Sequence, residues 1–271
     1  MPSTAKGSIR KVEVSCVAWI DLLGYGSQIA ESGFNPLSPK AQRAIARLDR
    51  LHTVVSGHAG KLFPTLALND GIIAFRDLSP RSHTVTFDFV RDCIHLFYAV
   101  NDMEAKYSDI GARMVVAPGF RARRSMTHSA RKFGGRVESI QRRLSDQKIQ
   151  PTQALAEALE ARPYFDSTRE LQANFALTRA YLADESGSAN GIAGPNCYID
   201  LCLFSDPVPS WIRFSSVVDW SYRGMNAKFG RLDGMDETAA GACLHRGALD
   251  AFKVARALSD DPDIESKVRA R

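Results

Sequence analysis

No apolar run in the 271-residue chain approaches the length that crosses a bilayer, which excludes a membrane-spanning helix. The polar, basic stretch from Met1 to Lys11 has no apolar segment behind it. It is therefore expected to be a loose tail rather than a secretory signal. Cysteine is sparse and odd in number: Cys16, Cys93, Cys197, Cys202 and Cys243. Only Cys197 and Cys202 approach metal-finger spacing, and no second pair completes such a site. Most of the five sit in apolar runs, so buried free thiols in a reducing, cytoplasmic setting are expected. Internal repeats and low-complexity linkers are also missing.

What is present is an ordinary globular composition, 45% hydrophobic and 24% charged, long enough for one large domain. The net charge of +5 is unevenly distributed. Between Arg113 and Lys148 stand ten Lys and Arg against two acids, Glu138 and Asp146, so this segment carries the whole excess and the remainder is slightly acidic. Such a patch suits triphosphate, nucleic acid or an acidic surface, and equally a solvated arm.

Lys11 to Leu22 reads as a buried strand. Pro39 to Ser56 carries a helical stripe of Ala44, Ile45, Leu48, Leu51 and Val54/Val55, with Ser38 suited to start it. Leu62–Leu68 and Ile72–Phe75 are short apolar runs joined by Asn69-Asp70-Gly71, a strong hairpin signal. A long amphipathic helix follows from Ser82 to Lys106, then a strand from Gly111 to Pro118. After the basic stretch, helices are expected at Pro151–Ala161 and Thr168–Asp184, strands at Cys197–Phe204 and Trp211–Val218, and a closing helix at Ala239–Leu258. The order predicts an α+β fold: helices on one face of a mostly antiparallel sheet, around a ferredoxin-like, palm-like β-α-β-β-α-β core. The expected organisation is a tail at 1–11 and a single domain over 12–271, with an insert at about 119–150 and a C-terminal extension at about 205–271.

In that topology Asp21 ends the first strand and Asp70 lies at the hairpin tip, so both reach the same edge of the sheet. Two carboxylates brought together repel unless a cation compensates them. Magnesium or manganese is the natural cation for oxygen ligands, and a pair of such ions is suited to phosphoryl transfer. Gly24 and Gly26 allow backbone amides to approach phosphate.

Ile20-Asp21-Leu22-Leu23-Gly24-Tyr25 resembles the metal-binding segment of class III nucleotidyl cyclases, whose usual form is Asp-Ile-x-Gly-Phe-(Thr/Ser). Asn69-Asp70 is similar to the second metal-carboxylate hairpin of that family. The resemblance spans about Val12 to Leu182 and the strand at Cys197–Phe204. It implies that Asp21 and Asp70 hold two divalent cations, Mn²⁺ or Mg²⁺, assisted by the Leu22 carbonyl, and that Gly24 and Tyr25 lie where the triphosphate is cradled. Asn174-Phe175-Ala176-Leu177-Thr178-Arg179 resembles the helix carrying the transition-state Asn and Arg, here one residue further apart than usual. By that likeness Asn174 orients the ribose and Arg179 offsets charge on the α-phosphate.

Purine cyclases of the family carry a base-reading Lys where this chain has Leu66. With the late Ala180-Tyr181-Leu182-Ala183-Asp184 segment, this looks more like the bacterial pyrimidine cyclases of Pycsar anti-phage defence. Phe63 and Thr65 are candidate base readers. Arg113, Arg121, Arg123 and Arg124 are candidate triphosphate contacts, with Arg113 the preferred one. The resemblance implies conversion of a nucleoside triphosphate, UTP favoured over CTP, to a 3′,5′-cyclic monophosphate and pyrophosphate. It also implies a homodimer with sites at the interface and a separate effector that senses the cyclic nucleotide. No stable nucleic-acid or membrane binding is expected. A competing reading is a cyclase-like module without activity that binds nucleic acid through its basic arm. The absence of a Gly-Gly-Asp/Glu-Glu/Asp-Phe hairpin speaks against a diguanylate synthase.

Overall fold

The computed structural model describes residues 12–122, 128–160, 169–236 and 247–268. The chain forms two compact units, one of 1–122 with 174–271, the other of 123–173. The expected insert at 119–150 overlaps the second unit, which begins and ends later in sequence.

The larger unit is built on a seven-stranded sheet. Its first six elements are β1 (Val12–Leu22), α1 (Tyr25–Glu31), α2 (Pro39–His58), β2 (Thr65–Leu68), β3 (Gly71–Asp77) and α3 (Thr84–Lys106). β4 (Ala112–Ala122) completes the core. The order β2-β3-β1-β4, antiparallel throughout, is the expected ferredoxin-like arrangement. Side chains alternate across a strand, so Val14, Cys16, Ala18, Ile20 and Leu22 of β1 point into the main core with α2 and α3. Glu13, Ser15, Val17, Trp19 and Asp21 share the opposite face.

α2 starts as anticipated: Ser38 Oγ accepts from Ala41 N at 3.2 Å, with Pro39 in the first turn. Its buried stripe differs in one place. Arg47 occupies a core position at 1% exposure, while Ile45 is exposed.

Beyond β4 the unit continues with α6 (Phe175–Ser186), β5 (Cys197–Asp200), β6 (Ile212–Tyr222), β7 (Met225–Met235) and α7 (Ala251–Leu258). β5 runs parallel to β4, and the β6–β7 hairpin extends the sheet on that side. The helix expected from Thr168 begins only after Asn174, whose side chain caps it through Leu177 N at 3.2 Å. The expected strand at Cys197–Phe204 ends at Asp200 and passes into a 3₁₀ turn over Leu201–Leu203. The closing helix covers only Ala251–Leu258, and residues 239–246 of that expectation, with Cys243, lie outside the described residues.

α6 packs on the second face of the sheet, along β1 and β4. Both strands are buried on nearly their whole length and so on both faces, with Val17 and Trp19 of β1 and Val115 and Ala117 of β4 as the apolar part of the second face. Gly119 of β4 makes the approach possible, because a Cβ there would lie 2.3 Å from Ala176 N. Ala176, Ala180 and Ala183 face the sheet, each fully buried, while Phe175, Thr178, Tyr181 and Glu185 face outward.

The smaller unit contains α4 (His128–Ser145) and α5 (Pro151–Glu160), joined by an Arg143–Glu157 ion pair. Among the described residues no helix is long and apolar enough to cross a membrane. Cys16, Cys93 and Cys197 are buried free thiols and Cys202 is a half-buried one.

Candidate active site

β1 delivers Asp21 to one rim of the sheet, opposite Gly71 of β3 and Arg113 of β4. Gly71 directly follows Asp70, so the hairpin brings the second carboxylate to the same rim. Asn69 forms the turn with φ 58°, and its side chain donates to Asp70 Oδ1 at 3.0 Å. His52 of α2 pins the turn from outside, with Nε2 2.9 Å from the Asn69 carbonyl. The two acids interact electrostatically. Burial first, then the carboxylates of Asp184 and Asp70, push the Asp21 carboxyl up to about 7, against the opposing charges of Arg113 and Arg47.

A carboxylate raised in this way gains from a further cation placed beside it. Two half-buried oxygen acids are a donor set suited to a hard divalent ion, which commonly binds through one or two carboxylates together with substrate phosphates. Among the described residues no group of three or more His, Cys, Asp or Glu converges on a metal position. A cation here would therefore rest on Asp21, Asp70 and backbone or substrate oxygens. The Leu22 side chain is buried in the core, which leaves only its carbonyl to serve. Gly24 follows in the left-handed region, φ 78°, and turns the chain into α1. Tyr25 is buried beneath that turn; burial, Asp70 and Asp49 raise its phenol.

Other candidates are placed differently. Arg113 does not reach toward the rim as a free cation. Its Nε donates to Asp184 Oδ1 at 2.5 Å, and its other nitrogens bind the carbonyls of Asp184 and Ile192. Arg121 is buried between Glu13 and Asp77. Arg123 and Arg124 lie outside the described residues. Phe63 is a core residue, 4% exposed and 5.6 Å from the Phe89 ring of α3. Thr65 pairs with Ala74 and so points to the α2–α3 side. Core burial of Phe63 and strand alternation at Thr65 thus set both away from the face of Asp21. Leu66 pairs with Ile73, which pairs with Trp19, so Leu66 shares the face of Asp21.

Asn174 and Arg179 are not brought to Asp21 within one chain. Asn174 is 3% exposed and donates to Ser15 Oγ at 3.2 Å, six positions back along β1 from Asp21. That separation is about 20 Å at the rise of an extended strand. Both of its polar atoms are committed to the fold. Arg179 pairs with the buried Asp200 at 2.7 Å, beside a cavity of about 470 Å³ lined also by Trp220, Ser221 and Asn226.

Two groups near Asp21 escaped the sequence reading. Asp184, held by Arg113 and by Trp19 Nε1 at 3.2 Å, is the leading charge acting on Asp21. Its signal was an acid closing an otherwise apolar helical turn. Arg47 and Glu104 form a buried pair behind the turn; the signal was an Arg on the apolar stripe of α2.

The sequence matches no family model and no curated protein. Among solved structures, the crystal structure of the guanylyl cyclase Cya2 is similar at 11% identity, over 84% of this chain and 95% of that one, with a TM-score of 0.47.

Proposed function

We propose that the protein is a nucleotidyl cyclase that converts a nucleoside triphosphate to a 3′,5′-cyclic monophosphate. The observation that carries this reading is the pairing of Asp21 and Asp70 at the rim where β1, the β2–β3 hairpin and the Gly24 turn meet. Asp21 and Asp70 would hold divalent cations, with the Leu22 carbonyl as a further oxygen. Such ions, when bound, lower the pKa of an attacking hydroxyl and balance charge on phosphate oxygens. The chain itself fixes the two acids on a rigid sheet edge and presents backbone amides at Gly24 and Tyr25 to a triphosphate.

The sequence resemblance implies that Arg179 acts across a dimer, and two features support that. Arg179 is remote from Asp21 in its own chain, and Phe175 and Tyr181 of α6 and Leu68 of the hairpin are exposed apolar groups available to a partner. Leu66 on the Asp21 face supports a pyrimidine base, because it cannot donate to a purine. UTP is the favoured substrate, and an antiviral signal read by a separate effector is proposed with it.

The test is incubation of the pure protein with ATP, GTP, CTP and UTP in Mn²⁺, with products identified by mass spectrometry. Cyclic UMP or CMP is expected, and it is lost in Asp21→Ala and Asp70→Ala. Cyclic product from a purine alone defeats the pyrimidine assignment; no product from any of the four defeats the enzyme. A second reading, an inactive module that binds nucleic acid, is favoured by the commitment of Asn174 to the fold. It predicts salt-dependent nucleic-acid binding that Asp21→Ala leaves intact.

A further inference from the structure

Arg47 and Glu104 bury a full ion pair, at 1% and 0% side-chain exposure, between α2 and α3. A buried pair often stabilises no more than apolar residues of the same size, so its geometry is the informative part. Arg47 Nε donates to both Glu104 oxygens, at 3.1 and 2.9 Å. One terminal nitrogen, Nη2, donates to Glu104 Oε2 as well, and the fork also reaches forward. Its two terminal nitrogens donate to the Leu23 carbonyl, at 3.1 and 3.2 Å, and one of them reaches Gln28 Oε1 of α1 at 3.3 Å. The second also reaches the Gly111 carbonyl at 3.4 Å, and Glu104 accepts from Gly111 N at 3.3 Å. Leu23 N in turn donates to Gly111 O at 3.0 Å. Every backbone group this pair touches belongs either to the turn following Asp21 and Leu22 or to the residue that opens β4 beside it.

We infer that Arg47, braced by Glu104, is a positioning residue that clamps the Leu23–Gly24 turn and thereby fixes the metal- and triphosphate-facing backbone next to Asp21. The inference rests on the proposed activity for its consequence, while the clamp itself is measurable without it. A guanidinium can span two carbonyls and a carboxylate in one plane, whereas an ammonium cannot. Arg47→Lys therefore keeps the charge facing Glu104 and releases the turn. The double variant Arg47→Met/Glu104→Met removes the pair without stranding a charge, and serves should the single one fold poorly.

Hydrogen exchange read by mass spectrometry, Mn²⁺ binding read by electron paramagnetic resonance, and steady-state kinetics decide the matter. In either variant, amides of residues 22–28 should exchange at least tenfold faster, with α3 and β4 unchanged. Mn²⁺ affinity should fall threefold or more, and kcat tenfold or more. Wild-type protection of 22–28 in the variants would overturn the clamp. Exchange rising evenly through the chain would overturn it too, by making the pair a general core element. If wild type turns over none of the four triphosphates, the proposed function fails, and the exchange and Mn²⁺ data still judge the clamp.

Discussion

Asp21 sits half-buried among like charges, and this gives its titration a definite sign. Its folded pKa of about 7 lies above the ordinary 3.8, so the folded chain holds a proton that the unfolded chain has lost. Between those two values stability falls as pH rises, and the full penalty persists above about 7. A shift of about three units corresponds to at most about 4 kcal/mol, and partial solvation of the side chain reduces that to about 2 kcal/mol. Asp21→Asn should therefore stabilise the metal-free protein by about 2 kcal/mol at pH 8, by about 0.5 kcal/mol at about pH 4.5 and by close to nothing at about pH 3, as measured by urea unfolding. Mn²⁺ should reverse the order at pH 8, because only the carboxylate gains from a bound cation. A variant no more stable than wild type at pH 8 without metal would mean that Asp21 is not under charge stress.

The elements differ in how openly the sequence declared them. β1, α2, the β2–β3 hairpin, α3 and β4 each carry a period or a turn signal strong enough to read directly, and with them the rim that joins Asp21 to Asp70. β7 was not visible. Its only fully buried large side chain is Phe229, while Asn226, Lys228 and Asp233 are exposed and Arg231 is half-buried. The legible signal was the Arg223-Gly224 turn, both residues at positive φ, which folds it back onto β6.

The seat of α6 was equally hidden, because small alanines that lie close to a sheet leave no strong hydrophobic stripe. What selects that seat is Gly119 on the facing strand. Gly119→Val would drive a side chain into the α6 backbone near Ala176, at a cost of about 1–3 kcal/mol by overpacking. The loss should appear in urea unfolding, together with a changed Trp19 environment in fluorescence, since Trp19 meets Tyr181 edge-on at 5.2 Å. A variant as stable as wild type would show that α6 does not depend on this contact.

At the scale of the whole molecule, one chain presents the acids and the helix residues of the proposed reaction at separate places, and no reading of single residues could have located them. Strand spacing puts Asn174 about 20 Å from Asp21, and Arg179 faces Asp200 on the β5 side. If both sets serve one reaction, they must come from two copies related by a two-fold axis. That requirement can be tested by mixing. Asp21→Asn and Arg179→Met chains should each be nearly inactive alone, for opposite reasons. Unfolded and refolded together in equal amounts, half of the dimers should be mixed, each with one rim intact and one helix intact, facing each other. About a quarter of wild-type turnover should then return, by random pairing of the two chains. An Arg179→Met chain that is active alone would show that Arg179 only pairs with Asp200. Failure of the mixture to regain activity, with mixed dimers confirmed by native mass spectrometry, would place the whole reaction within a single chain or nowhere in it.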